Sequence, residues 1–277
     1  MQKVAFITGC STGIGRELAL QLNRQGWKVV ATARRLESLQ SIENEGLQLL
    51  QLDVTDPLQI KAALDKAVET FGRIDLLVNN AGYGLIAPTM DIPADELHRQ
   101  LNTNVSGVIH LVQVVAPVMK AKGGGTIVNI GSISGIAPTP FSGAYCASKA
   151  AIHAWSDVLR MELQPFGIRV VTVQPGGIVT DFGKNCEKTV QNTFPNDSWY
   201  APVEKFVLAR ANTSQEIATP VEVFVKRLIP EITRRNPPAL IRMGKRSFIL
   251  PLLKWWLPSA LLDKIMMKKY GLLTLPS

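Results

Sequence analysis

Residues 3–15 read K-V-A-F-I-T-G-C-S-T-G-I-G, an apolar run that ends in a turn containing Gly9, Gly13 and Gly15. The run predicts a buried strand over Val4–Thr8, and helix-period residues follow over Gly13–Gln25. A glycine-rich turn between strand and helix presents backbone N–H groups at a helix N-terminus, which favours phosphate. The spacing is G-x-x-x-G-x-G rather than the common G-x-G-x-x-G, and such glycines can also serve packing alone. At the start of a long α/β alternation, phosphate binding is the favoured interpretation.

The alternation continues along most of the chain. Six further apolar stretches predict strands, at Lys28–Ala33, Leu47–Leu52, Asp75–Val78, Thr126–Ile130, Arg169–Gln174 and Ala239–Met243. Helical periodicity covers Pro57–Phe71, Ala94–Lys120 (with a break) and Ala144–Pro165. Near-continuous apolar strands separated by helices indicate a parallel sheet covered on both faces. The predicted fold is therefore α/β, a single-domain doubly wound parallel sheet of about seven strands.

Composition and charge narrow the class of protein. The chain has 277 residues, 46% of them hydrophobic, and its three cysteines lack the spacing of metal ligands. An odd number of scattered cysteines favours a reduced, cytoplasmic compartment, and we predict no disulfide and no metal site. We also predict no secretory signal before the first strand. The net charge of +8 lies entirely after residue 233, where nine basic residues accompany one acid. We therefore expect no nucleic-acid partner and a local role for the C-terminus.

A second group of residues suggests acid–base chemistry. Tyr145 and Lys149 are four residues apart, and Ser132 stands thirteen residues before the tyrosine. On a helix this spacing puts the phenol and the ammonium on one face. A nearby ammonium lowers the pKa of a phenol, normally about 10, and makes it a usable general acid or base. The pair alone is weak evidence, because such residues on a helix are usually a half-buried ring and a solvated amine.

The residues after the second strand indicate which cofactor would fit. NAD binders commonly place an acid there for the ribose 2′-hydroxyl, whereas an arginine accommodates a 2′-phosphate. Residues 30–35 contain no acid but include Arg34 and Arg35. We expect NADP(H), with NAD(H) less favoured and Arg34 as the contact. The alternative is that both arginines are solvated charges at the start of a helix.

Polar and small residues follow the third and fourth strands, at the edge where open parallel sheets bind ligands. Asp53 and Val54 follow the third strand, although Asp53 would serve equally well as a turn or cap residue. Asn80, Ala81 and Gly82 follow the fourth and would let a ring or ribose approach closely. Asn104 is a poor helix former within a helical stretch. It is either a buried, satisfied amide or part of a polar relay toward Lys149.

With these residues in view, the chain resembles the short-chain dehydrogenase/reductase family, particularly its steroid- and retinol-dehydrogenase-like members. Five motifs fall in register over residues 3–181. They are T-G-x-x-x-G-x-G at Thr8–Gly15, N-N-A-G at Asn79–Gly82, Ser132, Y-x-x-x-K at Tyr145–Lys149, and P-G-x-x-x-T at Pro175–Thr180. The resemblance implies a Rossmann-like domain over residues 1–244 and, by analogy, a homodimer or homotetramer.

The resemblance also implies roles for individual residues. Tyr145 would exchange the proton, Lys149 would lower its pKa and bind the nicotinamide ribose, Ser132 would orient the substrate oxygen, and Asn104 would anchor a relay water. The remaining implied cofactor contacts are Gly9, Ser11, Thr12, Gly13, Ile14, Gly15, Arg34, Asp53, Val54, Asn80, Ala81, Gly82, Pro175, Gly176, Ile178 and Thr180. Thr12 stands where some NADP-preferring members have a basic residue, so dual use of NAD and NADP stays open.

The segment 181–236 would cover the substrate, as the resemblance implies. It holds several aromatic residues: Phe182, Phe194, Trp199, Tyr200 and Phe206. We expect a hydrophobic alcohol or ketone, such as a steroid, a retinoid or a long-chain acyl ketone. The alternatives are a reductase of small non-lipid carbonyls and a non-catalytic NADP-binding regulator or scaffold.

Residues 245–277 form a basic, apolar extension. Its apolar run is broken by prolines and is too short to span a bilayer, and Ser259 is predicted to cap a helix that ends near Gly271. Paired Trp255 and Trp256 with flanking lysines suit a helix lying in a membrane interface. The segment would otherwise close the pocket or pack between subunits. Peripheral membrane contact and pocket closure are compatible.

Overall fold

Seven parallel strands form one sheet in a computed structural model that describes residues 2–276, without the side chains at 44 and 214–216. The order is β3-β2-β1-β4-β5-β6-β7. The strands are β1 Val4–Ile7, β2 Lys28–Ala33, β3 Gln48–Gln51, β4 Leu76–Asn79, β5 Gly125–Ile130, β6 Ile168–Pro175 and β7 Leu240–Met243. The predicted seven-stranded, doubly wound sheet is confirmed. Its strand order reverses between β1 and β4, which is where such sheets bind ligands.

Helices cover both faces of the sheet. They are α1 Gly13–Arg24, α2 Pro57–Phe71, α3 Ala94–Leu101, α4 Gly107–Ala121, α5 Gly143–Leu163, α6 Phe182–Thr193, α7 Glu204–Glu216, α8 Val221–Thr233, α9 Ile249–Trp256 and α10 Ser259–Lys269. A π-helical turn, Asn102–Ser106, joins α3 to α4 at the predicted break. The whole stretch Ala94–Ala121 is long and apolar enough to cross a membrane. Residues such as Leu111 and Val115 are nevertheless buried against the sheet, as in an ordinary core helix.

The period-2 alternation of the strands divides the core into two layers. Along β1, Ala5 and Ile7 face one layer, whereas Val4 and Phe6 face the other. Helices α1 and α8 complete the first layer, and α2, α4 and α5 complete the second. The sheet is thus buried on both sides, which holds the carboxyl ends of its strands in fixed positions.

A third apolar cluster lies beside the sheet and joins α6 and α7 to the C-terminal extension. Leu262, Met266 and Tyr270 are buried in it together with Val203 and Val207. Residues from 259 onward therefore pack onto the segment expected to cover the substrate.

Helix α8 lies within residues 181–236, and its Phe224 and Leu228 are buried in the first core layer. One expectation about this half of the chain needs correction. Pro258, rather than Ser259, is the N-cap of α10, because Ser259 already has helical geometry and makes no side-chain cap bond. The helix ends at Lys269, and Gly271 follows in the left-handed conformation (φ 73°).

Candidate active site

Tyr145, Ser132 and Lys149 meet where β5 ends and α5 begins. Helix α5 carries Tyr145 in its first turn and Lys149 one turn later, and both side chains are buried. Ser132 follows β5, and its hydroxyl hydrogen-bonds the phenol of Tyr145. The Nζ of Lys149 lies 5.9 Å from the centre of the tyrosine ring and donates to the carbonyl oxygen of Ile130 at 2.7 Å. The structure therefore brings the three predicted residues together.

The electrostatics of Tyr145 differ from the expectation. Burial raises its pKa above the ordinary value, while the hydrogen bond from Ser132 and the charge of Arg210 lower it. The physical reason is enclosure, since the Phe182 ring packs 5.4 Å from the tyrosine ring and a buried phenolate is costly. Burial also lowers the pKa of Lys149 to about 8. Lys149 is not among the groups that shift the pKa of this phenol, and its expected lowering of that pKa stays a prediction.

His153 supports the loop after β5 that carries Ser132. It lies one turn after Lys149 on α5, and its Nε2 accepts the backbone N–H of Ser132 at 3.4 Å. Its ring packs so closely on Gly131 and Gly135 that neither position has room for a Cβ. Burial, followed by the charge of Lys149, lowers the pKa of His153 to about 4. Sequence reasoning missed this residue, although its four-residue spacing from Lys149 was the available signal.

Hydrogen bonds to the loop after β4 stabilise the glycine turn. The hydroxyl of Thr8 accepts the backbone N–H groups of Asn80 and Ala81, each at 3.0 Å. The amide of Asn80 donates to the carbonyl oxygens of Thr8 and Gly9 at 2.9 and 3.0 Å. A Cβ on Gly9 would lie 2.8 Å from the Cα of Ala81, and Gly15 has no room for one either. These two glycines are therefore required by packing, which was one of the two interpretations.

The start of α1 is open in the way that phosphate binding requires. Its N-cap, Thr12, makes no side-chain cap bond. The first turn contains no acid, so its N–H groups and the helix dipole remain available to an anion. Gly13 has φ 62°, and a Cβ there would lie 3.2 Å from the methyl group of Thr180. Ser11 and Ile14 are half-buried beside this turn. The turn and Thr180 thus share one side of the cleft.

Arg34 lies at the exposed end of β2, as does Arg35. Among the described side chains, neither arginine forms an ion pair. Burial and Glu96 raise the pKa of Tyr83, and the charges of Arg99 and Arg34 lower it. Contact of Arg34 with a 2′-phosphate stays a prediction.

Asp53 and Val54 take part in local structure. The Asp53 carboxylate accepts the N–H and the hydroxyl of Thr55 at 2.9 and 2.7 Å, which forms a turn. The cap of α2 is Asp56, which accepts from Leu58 and from the next residue. Val54 is buried in the second core layer. Contact of either residue with adenine stays a prediction.

Asn104 occupies the π-helical turn, a deviation often found at functional sites. Its amide nitrogen donates to Tyr83 O at 2.9 Å and to Ser148 Oγ at 3.1 Å, and its oxygen accepts from Tyr83 N. A Cβ on Gly82 would lie 3.0 Å from the Asn104 oxygen and 3.8 Å from Lys149 Nζ. The amide is thus both a satisfied buried group and a neighbour of the lysine. The relay itself stays a prediction.

The residues predicted to form the carboxamide pocket follow β6. Pro175 ends this strand, and Gly176 packs so closely on residues 245–247 that it has no room for a side chain. Ile178 is buried and forms an isolated bridge with Thr219. The bonds of that bridge run through Gly177 O and Val179 N, on either side of Ile178. The C-terminal extension thus supports the predicted carboxamide pocket from outside.

Arg210 of α7 is a second residue that the sequence reasoning missed. Its Nε donates to Thr139 Oγ1 at 2.9 Å and its Nη2 to Ser142 Oγ at 3.3 Å. Ser142 is the N-cap of α5, three residues before Tyr145. The Arg210 charge lowers the pKa of Tyr145 and, against the raising effect of burial, that of Cys186. No sequence motif marks this arginine, because only the packing of α7 brings it to the tyrosine.

Other features of the described chain are a separate cavity and three buried cysteines. A cavity of about 560 Å³ between α8 and β7 is lined by Arg227, Pro230, Glu231, Pro238 and residues 240–243. It lies at the last strand of the sheet, away from the tyrosine and the glycine turn. Among the described side chains, no group of three His, Cys, Asp or Glu residues could hold a metal ion. All three cysteines are free and buried.

Comparison with known proteins places this site in context. Residues 3–191 match the sequence family described as short chain dehydrogenase. An NADPH-dependent 1-acyldihydroxyacetone phosphate reductase of Schizosaccharomyces pombe is 36% identical over 240 residues, covering 85% of this chain and 80% of its own. A 3-ketodihydrosphingosine reductase of Bacteroides thetaiotaomicron is 32% identical over 266 residues, covering 94% of this chain and 95% of its own.

A solved structure shares the whole fold. The crystal structure of a short-chain dehydrogenase from Streptomyces avermitilis superposes with a TM-score of 0.79 at 26% identity. The match covers 99% of this chain and 98% of that one, so it includes the C-terminal extension.

Proposed function

The chain belongs to the short-chain dehydrogenase family, and we propose that it is an NADP(H)-dependent reductase of hydrophobic ketones. The observation that carries the proposal is the hydrogen-bonded Ser132–Tyr145 pair beside buried Lys149, at the carboxyl edge of the sheet. Two hydroxyl groups that meet at one point can hold a carbonyl oxygen between them. A proton donor at that point is what ketone reduction requires.

The cofactor cradle fits a dinucleotide phosphate. The first turn of α1 would hold the pyrophosphate, because the Thr12 side chain does not cap it and it contains no acid. Exposed Arg34 would bind the 2′-phosphate, and Asn80, Ala81 and Gly82 would line the ribose. Pro175, Gly176, Ile178 and Thr180 would position the nicotinamide. The NADPH dependence of the fission-yeast relative supports NADP(H) over NAD(H).

Each residue of the site has a defined task in the proposed reaction. Bound NADPH supplies the hydride that reduces the carbonyl carbon. Ser132 donates a hydrogen bond to the substrate oxygen and orients it. Tyr145 passes its phenolic proton to that oxygen, and its raised pKa keeps the proton in place until then. Lys149 then stabilises the phenolate through its positive charge. Asn104 anchors the loop at Tyr83 and, we propose, the water that returns a proton.

Long-chain acyl ketones are the substrate class that we favour over steroids and retinoids. Phe182 packs against the Tyr145 ring, and the third cluster, which includes Phe141, extends this apolar region toward the C-terminus. Both curated relatives are named for ketones that carry a long chain or an acyl group. A reductase of small non-lipid carbonyls or a non-catalytic NADP-binding protein remains the alternative. A non-catalytic protein has no chemical need for the Ser132–Tyr145 contact.

Replacement of the phenol tests the function. In Tyr145→Phe we expect kcat for a long-chain acyl ketone to fall by about 100-fold or more, with the Kd for NADPH changed less than threefold. Tyr270→Phe removes a hydroxyl from another buried ring and should keep kcat within about threefold. NADPH oxidation over a panel of lipid and small ketones gives the readout. Unchanged turnover in Tyr145→Phe would refute the proposal, and a preference for small ketones would favour the alternative substrate class.

We also propose that the extension rests on a membrane surface containing anionic lipid. Helix α9 exposes Trp255 and Trp256 (83% and 73%), with Phe248, Ile249 and Leu252 more than half exposed. Residues 245–277 carry six basic residues and one acid. Interfacial tryptophans with neighbouring cations are typical of helices that lie in the headgroup region.

Vesicle flotation tests the membrane contact. We expect the wild-type protein to float with phosphatidylcholine vesicles that contain phosphatidylserine, and the Trp255→Ala/Trp256→Ala variant to float several-fold less. Trp199, 76% exposed on the loop before α7, offers a matched control, since Trp199→Ala should float like wild type. Equal flotation of all three proteins would remove this part of the proposal.

A further inference from the structure

Arg210 is a cation without a described acidic partner beside the proposed reaction centre. Its two hydrogen bonds go to the neutral hydroxyl groups of Thr139 and Ser142. No carboxylate among the described side chains forms an ion pair with it. A half-buried guanidinium has five N–H donors, and two neutral hydroxyls leave both its charge and several of its donors unused.

The position of Arg210 gives the fold little electrostatic benefit. Ser142 is the N-cap of α5, and a positive charge is disfavoured at this end of a helix. The first turn of α5 contains no acid that could offset the charge. Two hydroxyl contacts would be served equally well by a glutamine, without the cost of placing a charge there. The guanidinium therefore needs another explanation than anchoring α7.

The charge faces the site where the substrate would react. Arg210 bonds to Ser142, three residues before Tyr145, and its field reaches both Tyr145 and Cys186. Arg210 is half-buried, and Phe141, the neighbour of its contact Ser142 in the sequence, packs edge-on against Tyr200. In such surroundings an anion gains more from a guanidinium than it would in water.

We propose that Arg210 binds an anionic group, of the phosphate type, that the ketone substrate carries close to its carbonyl. The inference rests on the proposed function and narrows its substrate class to acyl ketones with a phosphate near the reacting carbon. Arginine suits this task because its planar fork matches phosphate oxygens in a bidentate manner. The apolar chain of the substrate would then extend along Phe141 and the third cluster.

A matched pair of substrates tests the proposal. The probes are 1-palmitoyl-dihydroxyacetone phosphate and 1-palmitoyl-dihydroxyacetone, presented to the full-length protein with NADPH in mixed micelles of one composition. We expect the wild-type kcat/KM to be at least about tenfold higher for the phosphorylated ketone, mainly through KM. In Arg210→Gln, whose neutral amide can still donate to these hydroxyl groups, this ratio should approach one. Arg210→Lys should retain part of it.

Controls separate this inference from folding defects and from the proposed function. Lys205→Gln removes a charge from an exposed position on the same helix and should keep the wild-type ratio. Thermal melting of each variant shows whether it folds. An equal kcat/KM for both ketones in the wild-type protein, or an unchanged ratio in Arg210→Gln, would overturn the role of Arg210.

Binding without turnover gives an independent readout. Titration calorimetry of NADPH-loaded Tyr145→Phe with each ketone measures affinity whether or not reduction occurs. A tighter Kd for the phosphorylated ketone, lost in Tyr145→Phe/Arg210→Gln, would support the anion site even if the wild-type protein reduced neither probe. Failure of the wild-type protein to reduce either ketone would count against the proposed function alone. Equal Kd values for the two ketones in NADPH-loaded Tyr145→Phe would count against an anion site at Arg210.

Discussion

At the residue scale, Lys149 is a buried cation whose described hydrogen bond goes to one neutral group, the carbonyl oxygen of Ile130. Its lowered pKa means that burial favours the uncharged amine. In the folded protein the cation therefore costs stability below pH 8. This is the pattern expected of a group kept for chemistry rather than for folding.

Replacing this lysine should stabilise the protein. In Lys149→Met we expect the free energy of unfolding at pH 7 to rise by up to about 3 kcal/mol, because the buried charge is gone. The folded pKa of about 8 lies below the ordinary 10.5. Wild-type stability should therefore increase as pH rises from 8 to 10.5, a change absent from the variant. Urea denaturation at several pH values measures both effects, and a variant less stable than wild type at pH 7 contradicts the prediction.

His153 should produce a change of the same sign at acid pH, with stability rising as pH rises. Its folded pKa of about 4 lies below the ordinary 6.5, so the unfolded chain binds a proton first. Stability should therefore be complete above pH 6.5 and be lost as pH falls toward 4. His153→Gln retains an acceptor for the Ser132 N–H and should flatten this part of the curve. Melting temperatures between pH 4 and 7 provide the check, and identical slopes in both proteins would show that His153 titrates normally.

The pKa shifts of Tyr145, Lys149 and His153 could not be predicted from the sequence. The spacing of Tyr145 and Lys149 correctly predicts that their side chains share one helix face. It does not predict that Phe182, 37 residues further on, packs over the tyrosine and raises its pKa. Arg210 reaches Ser142 only through the packing of α7. Desolvation and distant charges depend on tertiary contacts, which a local pattern does not contain.

At the scale of elements, the glycine turn between β1 and α1 is held by contacts to β4. Gly15→Ala should weaken this connection, since its methyl group would press on the Asn80 amide and on the carbonyl oxygen of Gly9. We expect a loss of stability of about 1–3 kcal/mol and at least a tenfold weaker Kd for NADPH. Fluorescence titration with NADPH and thermal melting measure the two effects.

Gly46 provides the comparison for that variant. It has φ 74° but open space around its Cα, so Gly46→Ala introduces backbone strain without a clash. That variant should lose about 1 kcal/mol and bind NADPH normally. Normal binding by Gly15→Ala would show that the turn tolerates a side chain.

The strands were predictable because each is a short apolar run next to a glycine or polar turn. Elements α6 to α8 were not predicted as helices. Helix α7 has apolar and polar residues on all sides, and α8 contains Pro230. Their helical state is stabilised by packing on α1 or on the C-terminal extension rather than by a visible period. The edge of the sheet was therefore predictable, whereas the helices that cover it were not.

At the scale of the whole molecule, residues 259–276 are a structural part of the protein. Their deletion would uncover the third cluster, from which Leu262, Met266 and Tyr270 would be lost. We expect a fall in melting temperature of about 10 °C or more, or insoluble protein, because each large buried side chain contributes about 2–5 kcal/mol. The Trp255→Ala/Trp256→Ala variant should melt within about 2 °C of wild type. A deletion that melts like wild type would show that the extension packs only loosely.

The edge-on contacts of Phe141 with Tyr200 and Tyr270, both at 6.1 Å, join the mouth of the cleft to the extension. If α9 adsorbs to a bilayer, this aromatic bridge holds the entrance at the lipid surface. Substrate would then arrive by lateral diffusion and product would leave the same way, without crossing bulk water. Reaction velocity would follow the mole fraction of ketone in the bilayer, and adding inert lipid would slow the enzyme by surface dilution at constant total substrate.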